Sequence, residues 1–161
     1  MDHGFEDKVV VITGAGKGLG RAYALFLAGL GARIVVNNHR HPGETQSSAD
    51  QVVAQITEGG GSAIAEYSSV EDPDAGDRLL NVSLEAFGRL DAVVANAGIS
   101  VGRSFHKQSA QEFRRVIEIN LMGTANLLHP AFRHMYELRR GCMVVSTSVA
   151  GLYGEHGLPA Y

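Results

Sequence analysis

A single cysteine, Cys142, stands among the 161 residues, so no internal disulfide can form. Its setting in "GCMVVSTS" reads as a buried strand position rather than a reactive thiol, which suits a reducing cytoplasm. There is no excess of basic charge: the net charge is -3 and the pI near 6.1, and no Lys/Arg run is present. That argues against a nucleic-acid backbone or an anionic membrane as partner. The start, "MDHGFEDK", is acidic and has no apolar signal core, and no run reaches the roughly 18 apolar residues of a membrane span. The expectation is a soluble, unexported protein. No Cys/His pair has zinc spacing, and His129 and His134, five apart on a helix, share a face poorly, so no metal is expected.

What the chain does have, at 45% hydrophobic and 19% charged, is the composition of one globular domain. Its apolar runs alternate in type. "KVVVIT", "ARIVVNN", "SAIAEYSS", "DAVVANAG" and "GCMVVSTS" read as strands. Between them, "GRAYALFLAGLG", "SSADQVVAQITEGGG" and "DPDAGDRLLNVSLEAFGRL" carry helical spacing. A longer helical stretch from about Ser109 to Leu138 should be interrupted or kinked near Pro130. Strands without polar alternation, separated by helices, predict an α/β fold with a doubly wound parallel sheet of the Rossmann type. The predicted strand order is 3-2-1-4-5, with a ligand crevice at the carboxyl ends where the winding reverses.

"TGAGKGLG", Thr13 to Gly20, follows the first strand and opens the first helix. Gly14 suits the tight turn, Gly18 and Leu19 lie where backbone meets a pyrophosphate, and Gly20 allows close helix packing. A Walker phosphate loop is excluded because Lys17 precedes Gly18 instead of following a glycine and leading to Ser or Thr. An acidic residue about 20 positions on would hold the ribose 2′-hydroxyl of NAD. Here the residues are Asn37, Asn38, His39 and Arg40. With Lys17 and Arg40 able to pair with a 2′-phosphate, the lean is to NADP(H), with NAD(H) and an Asn38–ribose bond as the alternative. His39 or His41 could stack on adenine.

The glycine loop, "NAG" at Asn96 to Gly98, Asn120 in "EINLMGT", and Ser148 thirteen residues before Tyr161 together resemble the short-chain dehydrogenase/reductase superfamily from about Phe5 to Tyr161. "GRAYAL", "VVNN", "SSVED" and "AGLYG" are similar to its (3R)-hydroxyacyl-CoA dehydrogenase branch. The resemblance implies a secondary alcohol and a ketone interconverted with NAD(P)(H), a hydroxyacyl thioester being one candidate substrate. Hydride transfer at carbon must be matched by proton transfer at oxygen. By resemblance Tyr161 is the acid/base, Ser148 holds the substrate oxygen, and Asn120 organises the helix and a proton path. Ser69 and Val70 would flank the adenine, while Asn96, Ala97 and Gly98 would approach the cofactor. Many relatives have asparagine where Ala95 stands here. Tyr153 and His156 would line the substrate side. A homodimer or homotetramer is implied, formed by the long helix and a helix beginning near Leu158.

A tyrosine, with an ordinary pKa of about 10, serves as a base near neutrality only if a positive charge stabilises its phenolate. The resemblance supplies a lysine four residues later, at position 165, beyond the 161 residues, together with a sixth and a seventh strand. Two expectations follow: a portion of a longer enzyme, or a product unable to run the reaction, acting as a nucleotide-binding module or sensor. An unpaired fifth strand and an uncovered sheet face favour the first. A third reading keeps the fold without a cofactor.

Overall fold

The computed structural model describes residues 4–40 and 43–161. Its centre is a five-stranded sheet of β1 (Val9–Thr13), β2 (Arg33–Asn37), β3 (Ser62–Glu66), β4 (Ala92–Ala95) and β5 (Cys142–Val145), in the order β3-β2-β1-β4-β5. Every pairing is parallel, with Val11 opposite both Val35 and Val93. The order is the one expected from the sequence.

Alternate residues of β1 face opposite layers, which is why the run shows no polar alternation. Val10 and Ile12, with Ile34 and Val36 of β2, pack on Ala24 of α1 (Gly18–Gly29) and on Val52 and Ile56 of α2 (Ser48–Glu58). Val11 and Val35 face the other way, onto Leu79 of α3 (Ala75–Phe87) and Leu127, Ala131 and Met135 of α5 (Gly123–Leu138). Ile12, Ile34 and Leu79 are fully buried. Each such side chain contributes about 1.5–3 kcal/mol by leaving water.

The long helix is interrupted, but not at Pro130. α4 (Ala110–Ile117), opened by a Ser109/Glu112 capping box, runs into a π-helical turn at Glu118–Met122, and α5 then passes through Pro130 without a break. Proline cannot donate to the carbonyl one turn back, that of Asn126. That carbonyl faces Gly76 of α3, where a Cβ would lie 2.7 Å from Pro130 Cγ and closer still to the Asn126 oxygen. Close backbone approach by Gly76 accommodates the proline.

Cys142 is exposed, contrary to its apolar setting, as is all of β5. Among the described residues β5 pairs only with β4, and no helix covers its second face. After β5 comes a short α6 (Val149–Tyr153) that the sequence pattern did not announce. Leu158 to Tyr161 form a turn closed by the Tyr161 N–H on the Leu158 carbonyl (3.2 Å).

Candidate active site

Parallel strands place their carboxyl ends side by side, and a cavity of about 560 Å³ opens there between β4 and β5. Asn120, Ser148 and Tyr161 all line it, together with Leu19, Asn96, Ala97 and Gly98. Residues that lie far apart in the chain thus meet at one wall. Tyr153 and His156 do not join them: both are exposed and lie outside the lining.

Each side chain is held by a local device. The π-helical turn aims Asn120 at the loop after β4, where its Oδ1 accepts from the Ile99 N–H and its Nδ2 donates to the Ile99 carbonyl, both at 2.9 Å. The Asn120 carbonyl in turn accepts from the Thr124 hydroxyl at 2.8 Å. Ser148 caps α6, its Oγ accepting from the Ala150 N–H at 3.2 Å. The Arg103 N–H donates to the Gly157 carbonyl at 2.8 Å, tying the loop after β4 to the segment that carries Tyr161.

The glycine loop is clamped to the end of β4 by a residue that motif reading passed over. Thr13, buried at the end of β1, accepts from the Asn96 and Ala97 N–H groups through Oγ1, both at 3.1 Å. Asn96 Nδ2 returns a bond to the Thr13 carbonyl at 3.1 Å. Gly14, at φ +64°, and Gly20 close the same joint: Cβ atoms there would lie 2.9 Å from Ala97 Cα and 2.6 Å from Asn96 Nδ2. Gly18, by contrast, faces open space, and no side chain caps the amides that open α1. Uncapped amides beside open space suit a phosphate.

Residues 8–161 match the family model described as short chain dehydrogenase. The chain belongs to the short-chain dehydrogenase family. It is 42% identical to a short-chain type dehydrogenase/reductase of Mycobacterium tuberculosis, over 98% of this chain and 57% of that protein. It is 41% identical to peroxisomal multifunctional enzyme type 2 of Mus musculus, over 98% of this chain and 22% of that one. A crystal structure of a short chain dehydrogenase from Mycobacterium avium superposes with a TM-score of 0.91 at 38% identity, covering 98% of this chain and 57% of the other. This chain therefore spans little more than half the length of the mycobacterial relatives.

A second cleft of this short-chain dehydrogenase, about 190 Å³, lies where β1, β2 and β3 end, lined by Gly14, Asn38, His39, Ser69, Val70 and Gly98 among others. His41, the other histidine considered for stacking, lies outside the described residues. Val70 is seated against Gly123, and its carbonyl accepts from Asn126 Nδ2 at 3.0 Å. The two cations expected to meet a 2′-phosphate already face carboxylates: Lys17 lies 4.0 Å from Glu44, and Arg40 lies 3.7 Å from Asp50. Arg40 also sits over the Tyr67 ring at 4.9 Å, and Tyr67 donates its hydroxyl to Asp50. That bond, with burial and the Asp50 charge, holds the Tyr67 phenol above its ordinary range.

No group of three or more His, Cys, Asp or Glu able to hold a metal ion exists among the described residues. No helix there is long and apolar enough to cross a membrane. Glu112, bonded through its carboxylate by Ser109 N–H and Oγ and by Arg103, is held below the usual carboxylate range.

Proposed function

We propose that this protein is an NAD(P)(H)-dependent oxidoreductase interconverting a secondary alcohol and a ketone. The observation that carries the reading is that Asn120, Ser148 and Tyr161 line one cavity beside the clamped glycine loop. In this reading the 161 residues form one dinucleotide-binding domain. The amides opening α1 at Gly18 and Leu19 hold the pyrophosphate, Ser69 and Val70 flank the adenine, and Asn96, Ala97 and Gly98 border the nicotinamide side. The nicotinamide, when bound, supplies the site that takes or gives the hydride.

The chain's own residues handle oxygen and proton. Ser148 presents a hydroxyl to the substrate oxygen, steadied by its bond from Ala150. Tyr161 exchanges the proton at that oxygen, and Asn120, fixed by both of its bonds to Ile99, sets the wall between them. General acid–base work of this kind contributes about 10²–10⁴-fold. A binding module without turnover would leave this grouping unexplained.

A cavity of about 560 Å³ accommodates the reacting end of a hydroxyacyl thioester or another hydroxy/oxo compound. Exposed Phe105, Phe132 and Tyr136 on and beside α4 and α5 support a homodimer or homotetramer through these helices. The sequence favours the cytoplasm as the compartment; the peroxisomal names of several relatives make the peroxisome the alternative.

The test incubates the full-length protein with NAD⁺ or NADP⁺ and a panel of secondary alcohols that includes hydroxyacyl thioesters, following reduced nicotinamide. Turnover of at least one alcohol is expected. No turnover together with no nucleotide binding would overturn the reading.

A further inference from the structure

At the rim of the adenosine cleft the Asn38 amide nitrogen, Arg40 and Lys17 are already engaged. Asn38 occupies the position after β2 that meets the ribose, and its Nδ2 donates to Ser48 Oγ at 2.9 Å and to the His39 carbonyl at 3.3 Å. A carbonyl only accepts, so the group facing His39 is the amide nitrogen, and both of its hydrogens are used. The group left over is Oδ1, which accepts no hydrogen bond among the described residues, and Asn38 lines the cleft. A carbonyl oxygen welcomes a ribose hydroxyl's hydrogen and opposes a phosphate, which at neutral pH is chiefly an acceptor.

The cations beside it are engaged too. Arg40 is held from two sides, by the Asp50 carboxylate at 3.7 Å and by the Tyr67 ring at 4.9 Å, while the Tyr67 hydroxyl donates to the same carboxylate. The three side chains come from the segment after β2, the first turn of α2 and the segment after β3, so they form a latch across the edge of the cleft. Gly16 lies beneath, where a Cβ would come 2.9 Å from Asn38 Cγ and closer still to Ser48 Oγ, so loop and latch are in contact through Asn38 and Ser48. On the other side Lys17 faces Glu44.

We infer that Asp50 is a specificity-determining residue: by holding Arg40 against Tyr67 it withholds the guanidinium from a 2′-phosphate and sets the site for NAD(H) over NADP(H). The inference rests on the oxidoreductase reading above and reverses the preference that Lys17 and Arg40 suggest in sequence. Asp50 touches no nucleotide; it acts through Arg40, so it is a positioning residue. An added 2′-phosphate has to draw Arg40 away from Asp50, leaving that carboxylate unneutralised beside it, or bind without the guanidinium, and either lowers its affinity.

The test measures the dissociation constants of NAD⁺ and NADP⁺ by titration calorimetry on the full-length protein and on the variants Asp50→Asn, Asp50→Asn/Arg40→Gln and Tyr67→Phe. The wild-type protein is expected to favour NAD⁺. Asp50→Asn should narrow the ratio of the two constants about two- to fivefold, the worth of one partly exposed ion pair. Tyr67→Phe, which keeps the ring and loses the hydroxyl bond, should narrow it less, and the double variant should lose the gain because no guanidinium remains. A wild-type preference for NADP⁺, an unchanged ratio in Asp50→Asn, or a gain that persists without Arg40 would each overturn the latch. Binding of neither nucleotide to the wild-type protein would instead remove the oxidoreductase reading, and the latch with it.

Discussion

Asn120 grips both backbone groups of Ile99, accepting from its N–H and donating to its carbonyl at 2.9 Å each. One side chain thereby joins the π-helical turn to the loop that follows β4, and both elements border the cavity. Asn120→Ala leaves both Ile99 groups without that partner. It is expected to lower stability by about 1–3 kcal/mol and to lower turnover as well. Asn120→Asp retains the acceptor for the Ile99 N–H but sets a carboxylate against a carbonyl, so it should not rescue. Denaturant unfolding alongside steady-state rates checks both; full stability in Asn120→Ala would show that the bridge carries nothing.

Thr13 is the clamp between the glycine loop and β4. Thr13→Val keeps the shape and removes the acceptor for the Asn96 and Ala97 N–H groups, whereas Thr13→Ser keeps it. A loss of about 1–3 kcal/mol is expected for valine, along with weaker nucleotide binding. Serine should restore most of both. Equal behaviour of the two variants would contradict the clamp.

Gly76 is needed for close approach, since a Cβ there would press on Pro130 Cγ and on the Asn126 carbonyl. Gly76→Ala should lower stability by about 1–3 kcal/mol through overpacking between α3 and α5. The companion change Gly88→Ala tests a different feature: nothing crowds its Cβ, but its φ of +73° disfavours any side chain. A stable Gly76→Ala would refute the proposed packing of α3 on α5.

Asp91 fastens the start of β1 to the start of β4. Its carboxylate accepts from the Val9 N–H at 3.0 Å and from Arg89 Nε and Nη2 at 2.7 Å. Burial raises its pKa, but the bonds from Arg89 and Val9 and the charges of Arg89 and Lys8 outweigh that and hold it below the usual carboxylate range. A depressed pKa stabilises the fold above the ordinary value of about 4 and loses that stabilisation as pH falls through the folded-state value. The protein should therefore lose about 1 kcal/mol from this group below pH ~4, and Asp91→Asn should lose it at every pH and titrate more flatly. Urea midpoints across acidic pH decide it; parallel curves for the two proteins would count against the assignment.

Strand order could be read from sequence because β-branched runs and the glycine loop act locally, whereas Asn120, Ser148 and Tyr161 are singled out by the family resemblance of their motifs. "KVVVIT" is a short β-branched run that favours a strand, and Gly14 and Gly20 announce a turn before a helix. What escaped depends on partners distant in the chain. The engagement of Arg40 needs Asp50 and Tyr67, which no motif connects to it, and the clamp at Thr13 is visible only once β1 and β4 are adjacent. The π-helical turn left only a weak sign, Asn120, Gly123 and Thr124 together being poor helix formers. Pro130 misled because the Asn126 carbonyl, to which proline cannot donate, faces a glycine on another helix. Cys142 misled because burial of β5 depends on what covers it, not on its own apolar character.

The most direct measurement of the central claim compares Tyr161→Phe with the wild-type full-length protein, determining turnover and nucleotide affinity on the same samples. The phenol ring is kept and only the proton-bearing oxygen is lost. The account predicts a fall in kcat of at least about 100-fold with the nucleotide dissociation constant changed less than about twofold, because Tyr161 lines the cavity near Ser148 and Asn120 and lies outside the adenosine cleft. Undiminished turnover in Tyr161→Phe would contradict the assignment of the acid/base and with it the chemistry proposed for the cavity.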